Sequence, residues 1–129
     1  MTHHAWAFDE AAYQKTLYTP LLDNEIEFAD AEKTLRSLYE ASADIGLGSD
    51  FSATRTALAE AFPEGVAFLT GAEVPGFSGW YTQSAATVAK NLPLLEDAAN
   101  NDALNHERIL RAATMLRAAQ GKGLLVKLG

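Results

Sequence analysis

Residues 63–81 read PEGVAFLTGAEVPGFSGWY, and this segment distinguishes the chain from a plain helical bundle. It holds four of the nine glycines and two of the four prolines, together with seven large apolar side chains. Glycine and proline interrupt a long helix, whereas so many apolar side chains do not suit an ordinary solvated loop. Long connections without regular structure are uncommon in compact domains, and those that occur are usually functional. We therefore expect a binding surface in this 63–81 connection.

The segments on either side of the connection have the apolar periodicity of amphipathic helices. Asp9 is a suitable N-cap for the first helix, and Thr19-Pro20 is expected to end it, because the residue before a proline is disfavoured in helical backbone. Pro93 either kinks the fourth helix or begins another, so we expect five helices or six. The predicted helices cover residues 9–18, from 20 or 24 to about 43, from a cap at 50 or 52 to 62, from about 81–84 past 92, and 102–120.

The last apolar run, LLVKL at residues 124–128, is too short for a helix and predicts a strand. Since a lone strand leaves its amides unpaired, it needs a partner, and VAFLT at residues 66–70 is the best candidate. Residues 5–8 are a third segment that could join. We therefore predict a mainly α fold, a five- or six-helix bundle-like single domain over residues 1–129, with a minor two-stranded pairing of 66–70 with 124–128. Fewer than about a sixth of the residues should be in strands.

The composition indicates a small acidic protein. The chain has 129 residues, no cysteine and a net charge of −7. The absence of cysteine excludes disulfides and thiolate chemistry. The N-terminal residues lack the features of a signal peptide, and no run is apolar enough for a membrane span, so we expect a cytoplasmic protein that does not bind membranes.

The charge is concentrated in one half of the chain. Residues 1–64 carry twelve acids and four bases, and residues 65–129 carry five acids and six bases. Nucleic-acid binding normally requires a basic stripe, so we expect no nucleic-acid partner. The acidic half is compatible with docking a protein that has a basic surface; the alternative is that the charge serves solubility alone.

Two sets of residues are candidates for partner binding. Asp23, Glu27 and Asp30 are spaced to share one face of the second predicted helix. The alternative interpretation is a solvated helix face whose acids favour the helix dipole.

The second set is Phe77, Trp80 and Tyr81, at the end of the 63–81 connection. Aromatic side chains near glycines are typical of interface anchors. The alternative is that they plug the end of the helical bundle, where aromatic burial is equally favourable.

No motif in the chain predicts catalysis, a metal or a cofactor. Ser78 lacks the second glycine of a nucleophile elbow, because Trp80 stands there. Gly121-Lys122-Gly123 follows a predicted helix rather than opening one, so it does not match a phosphate loop. Asp102 and His106 supply half a metal site at most.

These observations leave three hypotheses. The first is a protein that binds a macromolecular partner, in the manner of an immunity, antitoxin or inhibitor protein. The second is a small-molecule-binding domain or enzyme with a pocket under the 63–81 connection, using Trp80, Tyr81 and His106. The third is a homo-oligomeric structural protein, of which a homodimer is the simplest form.

Overall fold

A computed structural model of the chain describes residues 4–40 and 51–128. Within these ranges the chain forms three layers, in which a four-stranded antiparallel sheet lies between two groups of helices. The spatial order of the strands is β1-β4-β3-β2. Their bounds are β1 His4–Phe8, β2 Ala72–Glu73, β3 Trp80–Gln83 and β4 Gly123–Lys127. No helix in the described part is long and apolar enough to cross a membrane.

The last strand is central because both of its edges and both of its faces are covered. In β4, Leu125 lies opposite Trp6 of β1 on one side and opposite Thr82 of β3 on the other. Leu124, Leu125 and Val126 are all fully buried. A strand that is packed on both faces needs apolar side chains at successive positions rather than at alternate ones, which is why this segment is continuously apolar.

Helices of the N-terminal part cover one face of the sheet. They are α1 Glu10–Tyr13, a π-helical turn Gln14–Tyr18, α2 Thr19–Leu22 and α3 Phe28–Glu40. The first three are consecutive and form one continuous helix. Their buried side chains Tyr13, Leu17 and Leu35 pack with Trp6 and Leu125 of the sheet. We call this face of the sheet the front face.

The remaining helices cover the opposite face, which we call the back face. They are α4 Phe51–Ala61, α5 Ala67–Thr70, α6 Ala85–Asn101 and α7 His106–Ala118. Leu58, Leu95 and Ile109 from these helices pack against Leu124 and Val126 of β4. Each face of the sheet therefore has its own apolar cluster, and the sheet separates the two.

The predicted fold class is confirmed as mainly α with a small amount of β structure, but the predicted strand count is wrong. Less than a sixth of the described residues are in strands, as expected. However, the sheet has four strands instead of two. Counting α1 to α2 as one, the described ranges contain six helices.

The predicted pairing of residues 66–70 with 124–128 is also wrong. Residues Ala67–Thr70 form the single-turn helix α5, and β4 pairs instead with β1 and β3. Gly71 ends α5 with a φ of +75°, and the buried Gln83 side chain donates a hydrogen bond of 2.8 Å from Nε2 to the Phe68 carbonyl. A run of four apolar residues does not by itself distinguish a buried strand from a helical turn.

Several helix bounds differ from the predicted ones. The first helix continues through Thr19 and Pro20, because the π-helical turn shifts the hydrogen-bond register where the proline lacks a donor. The fourth begins at Ala85, capped by Ser84, whose hydroxyl accepts from the Thr87 amide at 3.1 Å. Pro93 lies inside this helix and does not divide it.

The last helix begins four residues later than predicted, at His106, after Asp102 accepts a hydrogen bond from the Asn105 amide. Asp9 caps α1 as expected, accepting from Ala12 at 3.1 Å. The predicted helix end near Ala43 and the cap candidate Asp50 lie outside the described residues.

Candidate functional site: an aromatic cleft on the front face

The second half of the 63–81 connection forms a compact hairpin. Glu73 of β2 pairs with Tyr81 of β3, and the Val74 amide donates to the Trp80 carbonyl at 2.8 Å. Within this turn the Phe77 amide donates to the Val74 carbonyl at 3.0 Å. The three aromatic residues predicted as a partner-binding group therefore hold fixed positions relative to the sheet.

These three side chains do not form one surface. Successive side chains of a strand point to opposite faces, so Trp80 packs on the front cluster and Tyr81 on the back cluster. Phe77 is only 6% exposed and is part of the front cluster. The plug interpretation fits Phe77, whereas Trp80 is half-buried and keeps one part of its surface accessible.

Phe77 nevertheless supports an exposed aromatic side chain. The Phe28 ring stacks on it with a centroid distance of 5.1 Å and an interplanar angle of 13°. Phe28 is the first residue of α3 and is 61% exposed, although Leu35 on the same helix is buried. One face of the Phe28 ring is thus fixed by stacking while much of the side chain remains in solvent.

Phe28, Phe77 and Trp80 border a cleft of about 200 Å³ on the front face. Leu35 contributes a further apolar side chain to it. Trp80 is held by stacking on Trp6, with centroids 6.0 Å apart and planes inclined by 18°. The cleft is completed by three charged side chains, Glu32, Arg36 and Lys127.

The charged side chains at the cleft have different environments. Glu32 and Arg36 form an ion pair of 3.1 Å at a spacing of four residues, and both side chains are substantially exposed. Lys127 lies opposite Trp80 in the sheet, and its Nζ atom is 5.2 Å from the centre of the indole ring. Lys127 is half-buried, and among the carboxylates whose side chains the structure describes, none is within ion-pair distance of it.

The acidic residues do not share a helix face as predicted. Asp23 lies in the turn after α2, Glu27 precedes α3, and Asp30 is in the first turn of α3. The chain leaves the helix at residues 23–27, and the Ala31 amide donates to the Glu27 carbonyl where the next helix begins. All three side chains are exposed, and they lie on both sides of Phe28 along the chain.

The pocket proposed for Trp80, Tyr81 and His106 is not formed by these side chains. Trp80 and Tyr81 are on opposite faces of the sheet, as described above. The His106 ring donates from Nδ1 to the Ala99 carbonyl at 2.6 Å, which links the start of α7 to α6. The direction of this bond follows from the carbonyl, which can only accept.

Sequence reasoning did not identify Phe28 or Lys127 as candidate site residues. Phe28 fell on the apolar stripe of its helix with Ala31 and Leu35, which predicts burial. The missing signal was that this position lies at the first residue of the helix. Lys127 was recognisable in principle, because it is the one charged residue within an otherwise apolar strand.

A second cleft, of about 320 Å³, lies at the start of α7 on the opposite side of the sheet from Phe28. It is bordered by Leu104, which is 88% exposed, and by Arg108 and Arg111. This surface contains no aromatic side chain, so it provides a control for experiments on the front cleft.

Across residues 4–40 and 51–128, no group of three or more His, Asp or Glu side chains is arranged to hold a metal ion. No protein-family model, curated protein or solved structure gives a significant match to this chain.

Proposed function

We propose that this protein acts by binding another protein with a basic surface, as immunity, antitoxin and inhibitor proteins do. The observation that carries the proposal is Phe28, a large aromatic side chain that is 61% exposed and fixed by stacking on the buried Phe77. Exposing such a side chain has a cost in water that a folded protein normally avoids. A preformed aromatic anchor loses little conformational entropy when a partner covers it.

The charges around Phe28 support a basic partner. Asp23, Glu25 and Glu27 precede Phe28 and Asp30 follows it, and all four side chains are exposed. Exposed carboxylates at the edge of an interface attract a basic protein and speed its association. An aromatic anchor with a charged rim is the usual anatomy of a protein interface.

The first experiment identifies the partner. A photo-crosslinking amino acid is placed at position 28, and as the matched control at position 104, where the exposed Leu104 lies on the other side of the sheet. We expect a crosslinked protein that appears with position 28 and not with position 104. The same pattern from both positions, or crosslinking of the chain only to itself, would contradict the proposal.

The second experiment measures the kinetics of the purified pair. Replacing Asp23, Glu27 and Asp30 by lysine should mainly slow association, and this effect should decrease as salt is raised. Phe28→Ala should mainly speed dissociation, with Leu104→Ala as the control. Trp80→Ala should also speed dissociation, but it removes the stacking of Trp80 on Trp6 as well, so its effect combines lost binding contacts with lost packing. If the acid variants bind at the wild-type rate at low salt, the acids do not steer the partner.

A further inference from the structure

Lys127 differs from every other basic residue of the chain. All ten lysines and arginines lie in the described ranges, and nine of them are exposed, whereas Lys127 is half-buried. Its ammonium lies over the Trp80 ring and is not paired with any carboxylate that the structure describes. Partial burial of a charge is unfavourable unless a counter-charge compensates for it, and one aromatic face compensates only in part.

The sheet fixes the backbone of Lys127. Lys127 is the last residue of the central strand β4, where it is opposite His4 of β1 and Trp80 of β3. The neighbouring residues Val126 and Leu125 are fully buried. The backbone that carries the ammonium is therefore fixed, and the side chain is directed to the front face beside the cleft.

The surroundings of the ammonium define the class of ligand. The walls of the cleft are the rings of Phe28, Phe77 and Trp80 together with Leu35. Its volume of about 200 Å³ is below the roughly 300 Å³ at which sites for drug-sized ligands begin. The ligand is therefore small, and the part of it that enters the cleft is apolar or aromatic, because aromatic rings line most of the cleft walls.

The charge of the ligand follows from the other two side chains at the cleft. Arg36 is already paired with Glu32 at 3.1 Å, so among the charged side chains that line the cleft only the ammonium of Lys127 is uncompensated. One negative charge neutralises it. A second would be repelled by the Glu32 carboxylate, since like charges at close range are unfavourable.

We propose that this cleft binds a small aromatic monocarboxylate, with the ring against Phe28 and Trp80 and the carboxylate on the Lys127 ammonium. The site goes beyond the protein-binding function proposed above and does not depend on it. The two share Phe28, so a ligand in the cleft would cover part of the same surface.

Phenylacetate is a suitable probe, and titration of the isolated protein by two-dimensional NMR measures its binding. Phenylacetamide is the matched control, because it has the same ring and linker without the charge, and acetate has the charge without the ring. We expect saturable shifts at β3, β4 and the start of α3 with phenylacetate, and at least about tenfold weaker binding of either control. Equal binding of phenylacetamide, or no saturable shifts, would overturn the proposal.

Two variants test the role of the ammonium. Lys127→Met keeps the length and apolar stem of the side chain and should weaken phenylacetate binding about tenfold or more. Lys122→Met removes the same charge at an exposed position just before β4 and should leave the affinity within about twofold. Equal losses in both variants would mean that the ligand responds only to net charge. The comparison of phenylacetate with phenylacetamide uses the unmodified chain, so it tests whether binding needs the carboxylate even if Lys127→Met does not fold.

Discussion

The ring of Phe28 lies parallel to that of Phe77, with their centroids 5.1 Å apart, although one side chain is 61% exposed and the other 6%. This pair joins the acidic segment before α3 to the hairpin of the 63–81 connection. Sequence reasoning treated these as two separate candidate surfaces. Their contact makes them parts of one surface on the front face.

The two rings of this pair should contribute very differently to stability. Phe77→Ala removes a buried ring from the front cluster and should lower the free energy of unfolding by about 3–5 kcal/mol. Phe28→Ala removes mainly the stacking contact, which contributes roughly 0.5–1.5 kcal/mol. Urea denaturation followed by circular dichroism measures both. Equal losses would mean that Phe28 is a core residue, and it would then be unsuitable as a binding anchor.

Trp6 and Trp80 should interact spectroscopically. Their rings are stacked with centroids 6.0 Å apart and planes inclined by 18°. Two indole transitions couple at this distance, and because they are inclined to each other the coupling produces a paired positive and negative band in the far-ultraviolet circular dichroism spectrum. Trp6→Phe and Trp80→Phe should each abolish this pair of bands, because coupling needs both indoles. Tyr81→Phe is the control and should preserve it, since Tyr81 packs on the back cluster. Bands that persist in either tryptophan variant would contradict the stacked arrangement.

Gly71 should tolerate a side chain less well than Gly76. Its φ is +75°, and a Cβ atom there would lie 2.1 Å from the Thr82 carbonyl oxygen of β3. Gly76 has a similar φ of +80° but has no atom within 4 Å of such a Cβ. Gly76→Ala should therefore cost only the left-handed backbone strain, about 1–2 kcal/mol.

Gly71→Ala adds a clash with the strand backbone to the same strain and should cost at least about 2 kcal/mol more. Thermal unfolding of the two variants side by side gives the comparison. Similar melting temperatures would show that α5 and β3 can separate without loss of stability.

Tyr13 should make the protein sensitive to alkaline pH. Burial raises the pKa of the Tyr13 hydroxyl above its usual value of 10.0, the Thr82 hydroxyl opposes this rise, and the neighbouring Tyr18 adds to it. Below pH 10 the tyrosine is neutral in both states, so the raised pKa has no effect on stability. Above pH 10, Tyr13 loses its hydroxyl proton more readily in the unfolded chain than in the folded one, so the free energy of unfolding falls as pH rises.

Urea denaturation at pH 9, 10 and 11 measures this dependence. Tyr13→Phe has no ionisable hydroxyl, so its free energy of unfolding should fall less steeply over the same range. Tyr18→Phe serves as the control for tyrosine removal and should retain most of the wild-type slope. A Tyr13→Phe variant with the full wild-type slope would assign the alkaline sensitivity to another group.

Much of the fold follows from local signals in the sequence. The mainly α class, the Asp9 cap and the strand at residues 124–128 are correctly predicted, because each depends on neighbouring residues only. Residues 5–8, proposed as a third segment, do form β1 with His4.

The remaining features depend on contacts between distant residues. The predicted helix start at residues 81–84 is wrong, because Trp80–Gln83 forms a strand along an edge of β4. Residues 67–70 form a helical turn, and β1 and β3 occupy both edges of β4, so β4 has no edge left for them to pair with. The cleft is formed by residues from three separate elements, Phe28 of α3, Trp80 of β3 and Lys127 of β4. Their spacing in the sequence does not indicate that they are close in the fold.

The position of β4 in the sheet changes the expected result of truncation. If the chain ended in a minor two-stranded pairing, removal of residues 124–129 would cost about 2 kcal/mol and lower the melting temperature by several degrees. Instead, β4 is paired on both sides, and Leu124, Leu125 and Val126 are fully buried in the two clusters. Its removal takes core side chains from both layers and leaves β1 without a strand partner in the described sheet.

We therefore expect the chain truncated after Gly123 to be unfolded, since the loss of three buried aliphatic side chains alone, at about 2–5 kcal/mol each, matches or exceeds the total stability of a typical domain. Circular dichroism and NMR dispersion of the truncated chain test this. The single variants Leu125→Ala and Val126→Ala are the controls, because each removes packing from one face while the strand remains. Both should fold with reduced stability. A truncated chain that still unfolds cooperatively, only a few degrees below the full-length protein, would mean that β1 and β3 do not depend on the strand between them.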